Sequence, residues 1–83
     1  MKRLGVVTSR HGHSCLVVKG DSADNSAAFR MMNAPVIDKN VSRIGKVVNV
    51  FGSETRTYFL VRIFREIDER RIKSLVSEKV YIR

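Results

Sequence analysis

The sequence predicts an all-β fold: one small, six-stranded, partly open barrel. Three observations predict it. At 83 residues the chain holds one domain and one modest core. Short runs rich in β-branched residues recur between clusters of turn formers. The run Ile44–Gly52 is apolar on both alternating faces, with Ile44, Val48 and Val50 on one parity and Val47 and Phe51 on the other. A strand with one buried face should alternate. Burial on both faces in so small a protein implies a tight barrel, a partner surface, or both.

The elements follow in order. Leu4–Val7 and Cys15–Val18 are the first two strands, separated by Ser9–Ser14. Gly12 can supply a positive φ there, so the pair reads as a hairpin. Gly20–Asn33 breaks the pattern with Asp21, Ser22, Asp24, Asn25 and Ser26, all turn formers. Ala27–Met32 has room for one helical turn. The whole region, about 20–34, reads as a long variable loop, and loops of that length are usually functional or disordered. Pro35 pushes Ala34 toward an extended backbone. Val36-Ile37 is then a very short strand, Asp38-Lys39-Asn40 a turn, and Val41–Phe51 the long strand. Gly45 within it marks a bulge or a close backbone approach.

Gly52–Arg56 is the next hairpin turn, and Thr57–Phe64 the fifth strand. Thr57, Phe59, Val61 and Ile63 face the core. Tyr58, Leu60, Arg62 and Phe64 share the opposite face, which is too apolar for solvent. It is either a partner surface or a face covered by the chain's own loop or tail. Arg65–Lys73 is a charged segment whose Ile67 and Ile72 make no convincing helical stripe, and it reads as a solvated face with room for a short helix. Val80–Ile82 is the last strand. No repeat, low-complexity tract or second domain interrupts residues 1–83.

Composition narrows the function. Sixteen Lys and Arg against eight Asp and Glu give +8. That balance suits a nucleic-acid or acidic-protein partner, though it is also found in subunits that touch no RNA. A single cysteine, Cys15, precludes an internal disulfide and fits a reducing compartment. Leu4–Val7 is too short for a signal-peptide core, and no segment approaches the roughly 20 apolar residues of a membrane span. The expected setting is cytoplasmic, with no membrane partner.

Catalytic and metal chemistry find little support. His11, His13 and Cys15, at i, i+2 and i+4, would share a strand face, with Asp21 or Asp24 as a fourth zinc ligand. Two-residue spacing on a tight turn seldom converges on one ion, and no second ligand pair follows. The plainer reading is a polar turn followed by a buried, inert Cys15. Cys15 or a serine with His11 or His13 lacks the third group that would hold a base in place. No enzyme, metal or cofactor is expected. RNA binding keeps some support: Tyr58 and Phe64 flank Arg62 on one face, and small barrels host oligonucleotides. No RNP-type, KH or zinc-knuckle motif is present.

The run Ile44–Gly52, with Ala34–Lys39 before it and Tyr58 after it, resembles the small β-barrel subunit of the archaeal H/ACA ribonucleoprotein, the core domain of the glycine- and arginine-rich (Gar) protein. Met1–Val7 is similar to that family's first strand and Glu78–Arg83 to its last. The resemblance implies a non-catalytic subunit without cofactor. It docks on the catalytic subunit of the pseudouridine synthase and helps load and release substrate RNA in guided rRNA pseudouridylation, a step of ribosome biogenesis. It also implies guide RNA and rRNA as companions in the complex, with direct contact left open. Partner contacts would come from Val36, Ile44, Val48, Val50, Phe51, Gly52, Tyr58 and Leu60, with Arg56 and Arg62 at the rim or on RNA. The alternative is a free-standing RNA-binding barrel. Two departures stand out. Ser53 and Thr57 replace prolines usual in the family, which loosens the turn. The Arg65–Lys73 block replaces acidic or neutral residues. The absence of glycine-arginine-rich tails favours the archaeal type.

Overall fold

A computed structural model describes residues 2–20, 31–52 and 56–82. Six strands form a closed antiparallel barrel: β1 (Lys2–His11), β2 (Cys15–Gly20), β3 (Pro35–Ile37), β4 (Arg43–Gly52), β5 (Thr57–Ile63) and β6 (Lys79–Ile82). One helix, α1 (Glu69–Leu75), lies between β5 and β6. Around the wall the order is β1-β2-β5-β4-β3-β6, and β6 returns to β1. The six expected strands are therefore all present, and the sheet closes through the short β3–β6 ladder. Closure leaves no open edge to recruit another strand. Most of the loop expected at 20–34, and the turn residues 53–55, lie outside the described residues. No helix among the described residues is long and apolar enough to cross a membrane.

The first hairpin turns as expected, with Gly12 at a φ of 67°. The core is built from the inward residues of every strand, including Leu4, Val7, Leu16, Val18, Val61 and Val80. Thr57, Phe59, Val61 and Ile63 are all buried, so β5 alternates as its sequence implies. The long strand does not. β4 is buried on one side only, because two bulges rephase it. Against β3, Val36 pairs with Gly45 and Ile37 with Arg43, so Ile44 is an extra residue. Against β5, Val47 pairs with Val61 and Asn49 with Leu60, so Val48 is extra. Each extra residue shifts the alternation by one position. Ile44 and Val47 consequently reach the core and Val50 packs against it, while Lys46, Asn49 and Phe51 are exposed.

The charged segment forms a genuine helix end. Asp68 caps α1, its carboxylate accepting from the Arg71 backbone N–H at 2.8 Å. Ile72 and Leu75, three apart, bury the inner stripe. Ile67 and Ile72 occupy the positions of a hydrophobic staple around the cap, both against the core. The segment is thus amphipathic, where a solvated face was expected.

Side-chain bonds fix α1 to the barrel. Arg10 donates to both Glu69 carboxylate oxygens, at 2.5 and 2.7 Å, and to the His13 carbonyl at 2.9 Å. The hydrogen bond from Arg10 is the main cause that lowers the Glu69 pKa from the ordinary 4.5, with the Arg10, Lys73 and His13 charges adding to it against desolvation. A carboxylate whose folded pKa is depressed adds stability above its unfolded pKa and loses it as pH falls through the folded value. The urea midpoint of Glu69→Gln should therefore lie below wild type at neutral pH. The gap should hold down to about pH 4.5 and close in more acidic solution. An equal gap at every pH would mean that the pair contributes no ionic stabilisation.

Candidate functional site

The outer face of β2, β5 and β4 is the candidate site, and the register builds it in rungs. Lys19, Tyr58 and Phe51 are cross-strand neighbours. The next rung is Val17, Leu60 and Asn49, and the next Cys15, Arg62 and Lys46. β1 extends these rungs with Val6, Ser9 and His11. The rings of Phe51 and Tyr58 stack with centroids 5.7 Å apart and planes 17° from parallel. Phe51 keeps 45 % of its surface exposed. Tyr58, Leu60 and Val17 are half-buried, while Lys19, Arg62 and Lys46 are exposed. The face is therefore apolar at its centre, aromatic at one end and cationic at the other. Arg56 is exposed just before β5, beside Gly52, which pairs with Thr57 at the strand end.

The structure brings Phe51, Tyr58 and Leu60 together with Arg62, as the alternation of β5 suggests. It separates the others. Val36 and Ile44 have no exposed surface, so they are core residues and offer nothing to a partner. The cause is register: Val36 faces inward opposite Gly45, and the bulge turns Ile44 in. Val50 leans inward opposite Phe59, and Val48 sits half-buried at the second bulge. Sequence reasoning missed Val17, Lys19 and Lys46. The alternation of β2 carried that signal, since Leu16 and Val18 point in and Cys15, Val17 and Lys19 point out.

The other candidates resolve differently. Cys15 is a free, half-buried thiol on the outer face, paired across strands with His11 and Arg62, where a buried residue was expected. His13 stands in the turn. No group of three or more His, Cys, Asp or Glu among the described residues is placed to hold a metal ion, and Asp21 and Asp24 lie outside those residues. Asp38 is 2 % exposed and has the structural role its position suggests. Its Oδ1 accepts from the backbone N–H groups of Asn40 at 2.8 Å and Ser42 at 2.9 Å, an Asx turn entering β4. Its Oδ2 meets the Arg71 guanidinium. A cleft of about 200 Å³ lies between this turn, α1 and β6. Its carboxylates are already engaged, Asp38 by Arg71 and Glu78 by Lys39 at 4.0 Å.

Comparison with known proteins gives a fold and a distant relative. No protein-family profile matches the chain. It is 26% identical over 82 residues to an uncharacterized protein of Methanothermobacter thermautotrophicus, covering 99% of this chain and 83% of the relative. Among solved structures it is similar to the Gar1 domain of NAf1, with a TM-score of 0.69 at 13% identity, over 98% of this chain and 82% of the other. The barrel therefore has the Gar1-domain fold.

Proposed function

We propose that this chain is a non-catalytic barrel subunit of a box H/ACA guide ribonucleoprotein. It docks through the outer face of β2, β5 and β4 on the catalytic subunit of the pseudouridine synthase. In that position it assists loading and release of substrate RNA during rRNA pseudouridylation. Two lines support the reading: the Gar-like runs of the sequence, and the fold shared with the Gar1 domain of NAf1. The observation that carries it is the outward Phe51–Tyr58 stack beside Leu60. Large apolar groups collected on an otherwise charged surface mark an interaction site. Aromatic anchors with a polar rim are the usual anatomy of a protein contact. Arg62 and Arg56 supply the rim.

Calorimetric titration of the purified chain into the archaeal synthase subunit, without RNA, tests it. Binding should be saturable. Leu60→Asp, at a half-buried outer position, should raise Kd about 30-fold or more, since truncating a buried anchor costs about 2 kcal/mol or more. Tyr58→Ala should act in the same direction while the barrel keeps its melting profile. Absence of synthase binding, with salt-sensitive binding to guide RNA alone, would make the chain a free RNA-binding barrel. Lys19 opposite the exposed aromatic pair is the observation that favours this second reading.

A further inference from the structure

We propose that the cationic end of the same face, the rung His11–Cys15–Arg62–Lys46, contacts the phosphate backbone of single-stranded RNA. The first observation is the distribution of charge. The six strands together carry eight Lys and Arg and no Asp or Glu. Every acidic residue among the described ones lies elsewhere, in the turn after β3 or in residues 66–78. The barrel wall is thus of one sign, and the acids gather around α1.

The second observation is the pairing within that wall. Lys46 and Arg62 are direct cross-strand partners, and both are exposed. Like charges directly opposite each other destabilise a sheet. Three other cations are paired with carboxylates: Arg10 with Glu69, Arg71 with Asp38, Lys39 with Glu78. Among the described residues no carboxylate approaches Lys46 or Arg62. Their flanking partners are Pro35 on one side and Cys15, then His11, on the other. A repulsive pair kept in fixed register and left uncompensated is suited to an external polyanion.

The third observation selects RNA over other polyanions. The aromatic stack lies two rungs along β5, about 13 Å away at the rise of a strand. Cations that follow a backbone, together with exposed rings on which bases stack, are the two components of single-strand binding. An acidic protein would use the cations alone. Docking as proposed would cover the aromatic stack, so this contact belongs to the undocked chain and is tested on the isolated chain.

The test is anisotropy of a labelled short oligouridylate titrated with the purified chain at low and at physiological salt. Wild type should bind with a strong salt dependence. Lys46→Glu should raise Kd at least tenfold and flatten the plot of log K against log salt by about 0.7, the release expected per phosphate contact on a single strand. The same substitution creates an opposite-charge pair with Arg62, so the melting temperature should hold or rise. Arg62→Gln should weaken RNA binding without loss of fold. An unchanged Kd and slope in folded Lys46→Glu would overturn the site. Polyglutamate that binds as tightly as the oligouridylate would overturn the assignment to RNA. Either result leaves the calorimetric test of docking unaffected.

Discussion

Asp38→Ala should lower the melting temperature by roughly 15 °C. The carboxylate holds two backbone N–H groups and one guanidinium at the entrance to β4. Removing this buried acceptor leaves three partly exposed donors without it, at a cost of about 1 kcal/mol per group. The turn also carries Val41 at a φ of 64°, an unfavourable conformation for a β-branched residue. Its N–H donates to the Asp38 carbonyl at 3.0 Å, within the loop that the carboxylate secures. A total loss of about 3 kcal/mol is large against the 4–12 kcal/mol, roughly, that a chain of this size is expected to have. At about 4–8 °C per kcal/mol for a small domain, the shift is easily read by thermal melting. Asp38→Asn separates the contributions. It keeps an oxygen for Asn40 and Ser42 but loses the charge facing Arg71, so it should cost about 1 kcal/mol. Val41→Gly, which relieves the φ, should recover part of the Asp38→Ala loss. Equal melting temperatures for wild type and Asp38→Ala would mean that the turn is fixed by backbone bonds alone.

This aspartate also illustrates what sequence can and cannot reveal. A lone Asp before a strand and after a short apolar run is readable as an Asx turn, because that bond is local in sequence. Its second partner, Arg71, is 33 positions away, and no periodicity links the two. The same contrast holds for the strands. β5 could be read face by face, since Thr57, Phe59, Val61 and Ile63 alternate without interruption. β4 could not, because its inward residues depend on two bulges defined only by its neighbours. Ile44, Val47 and Val50 recur every three residues, which looks like burial on both faces when a period of two is imposed. The resemblance placed Ile44 among the partner contacts, and the alternation gave no reason to move it inward, although it is fully buried.

The helix shows a different limit. Ile67 and Ile72, five apart, do not form a stripe because they are not on one: they occupy the staple positions around the Asp68 cap. The inner stripe is Ile72 with Leu75, and it ends two residues beyond the charged block. The candidate site was half legible. Tyr58 and Leu60 followed from one strand's alternation. Val17 lay in the alternation of β2, while Lys46 required the register between strands.

Gly45→Ala is expected to be among the most disruptive single methyl additions to this barrel. A Cβ at Gly45 would overlap the carbonyl oxygen and carbon of Arg62 and crowd the Cα of Ile63. These are backbone atoms of the paired strand, so no side chain can move aside to accommodate it. Overpacking of a core usually costs about 1–3 kcal/mol because side chains adjust. Here β4 and β5 must separate or slip, and the cost should be about 3 kcal/mol or more. The residue sits beside the Ile44 bulge and one position before Lys46. A local shift would therefore move Lys46 away from Arg62 and change the rung on which RNA contact is proposed. At low temperature, where the variant stays partly folded, RNA affinity should fall together with the amide-exchange protection of Phe64, whose N–H donates to the Ile44 carbonyl of β4 at 3.0 Å. Leu60→Asp should instead weaken synthase docking with protection intact. Close backbone approach at Gly45 is thus what couples the packing of the barrel to the geometry of its outer face. The coupling fails if Gly45→Ala retains both wild-type protection and wild-type RNA affinity.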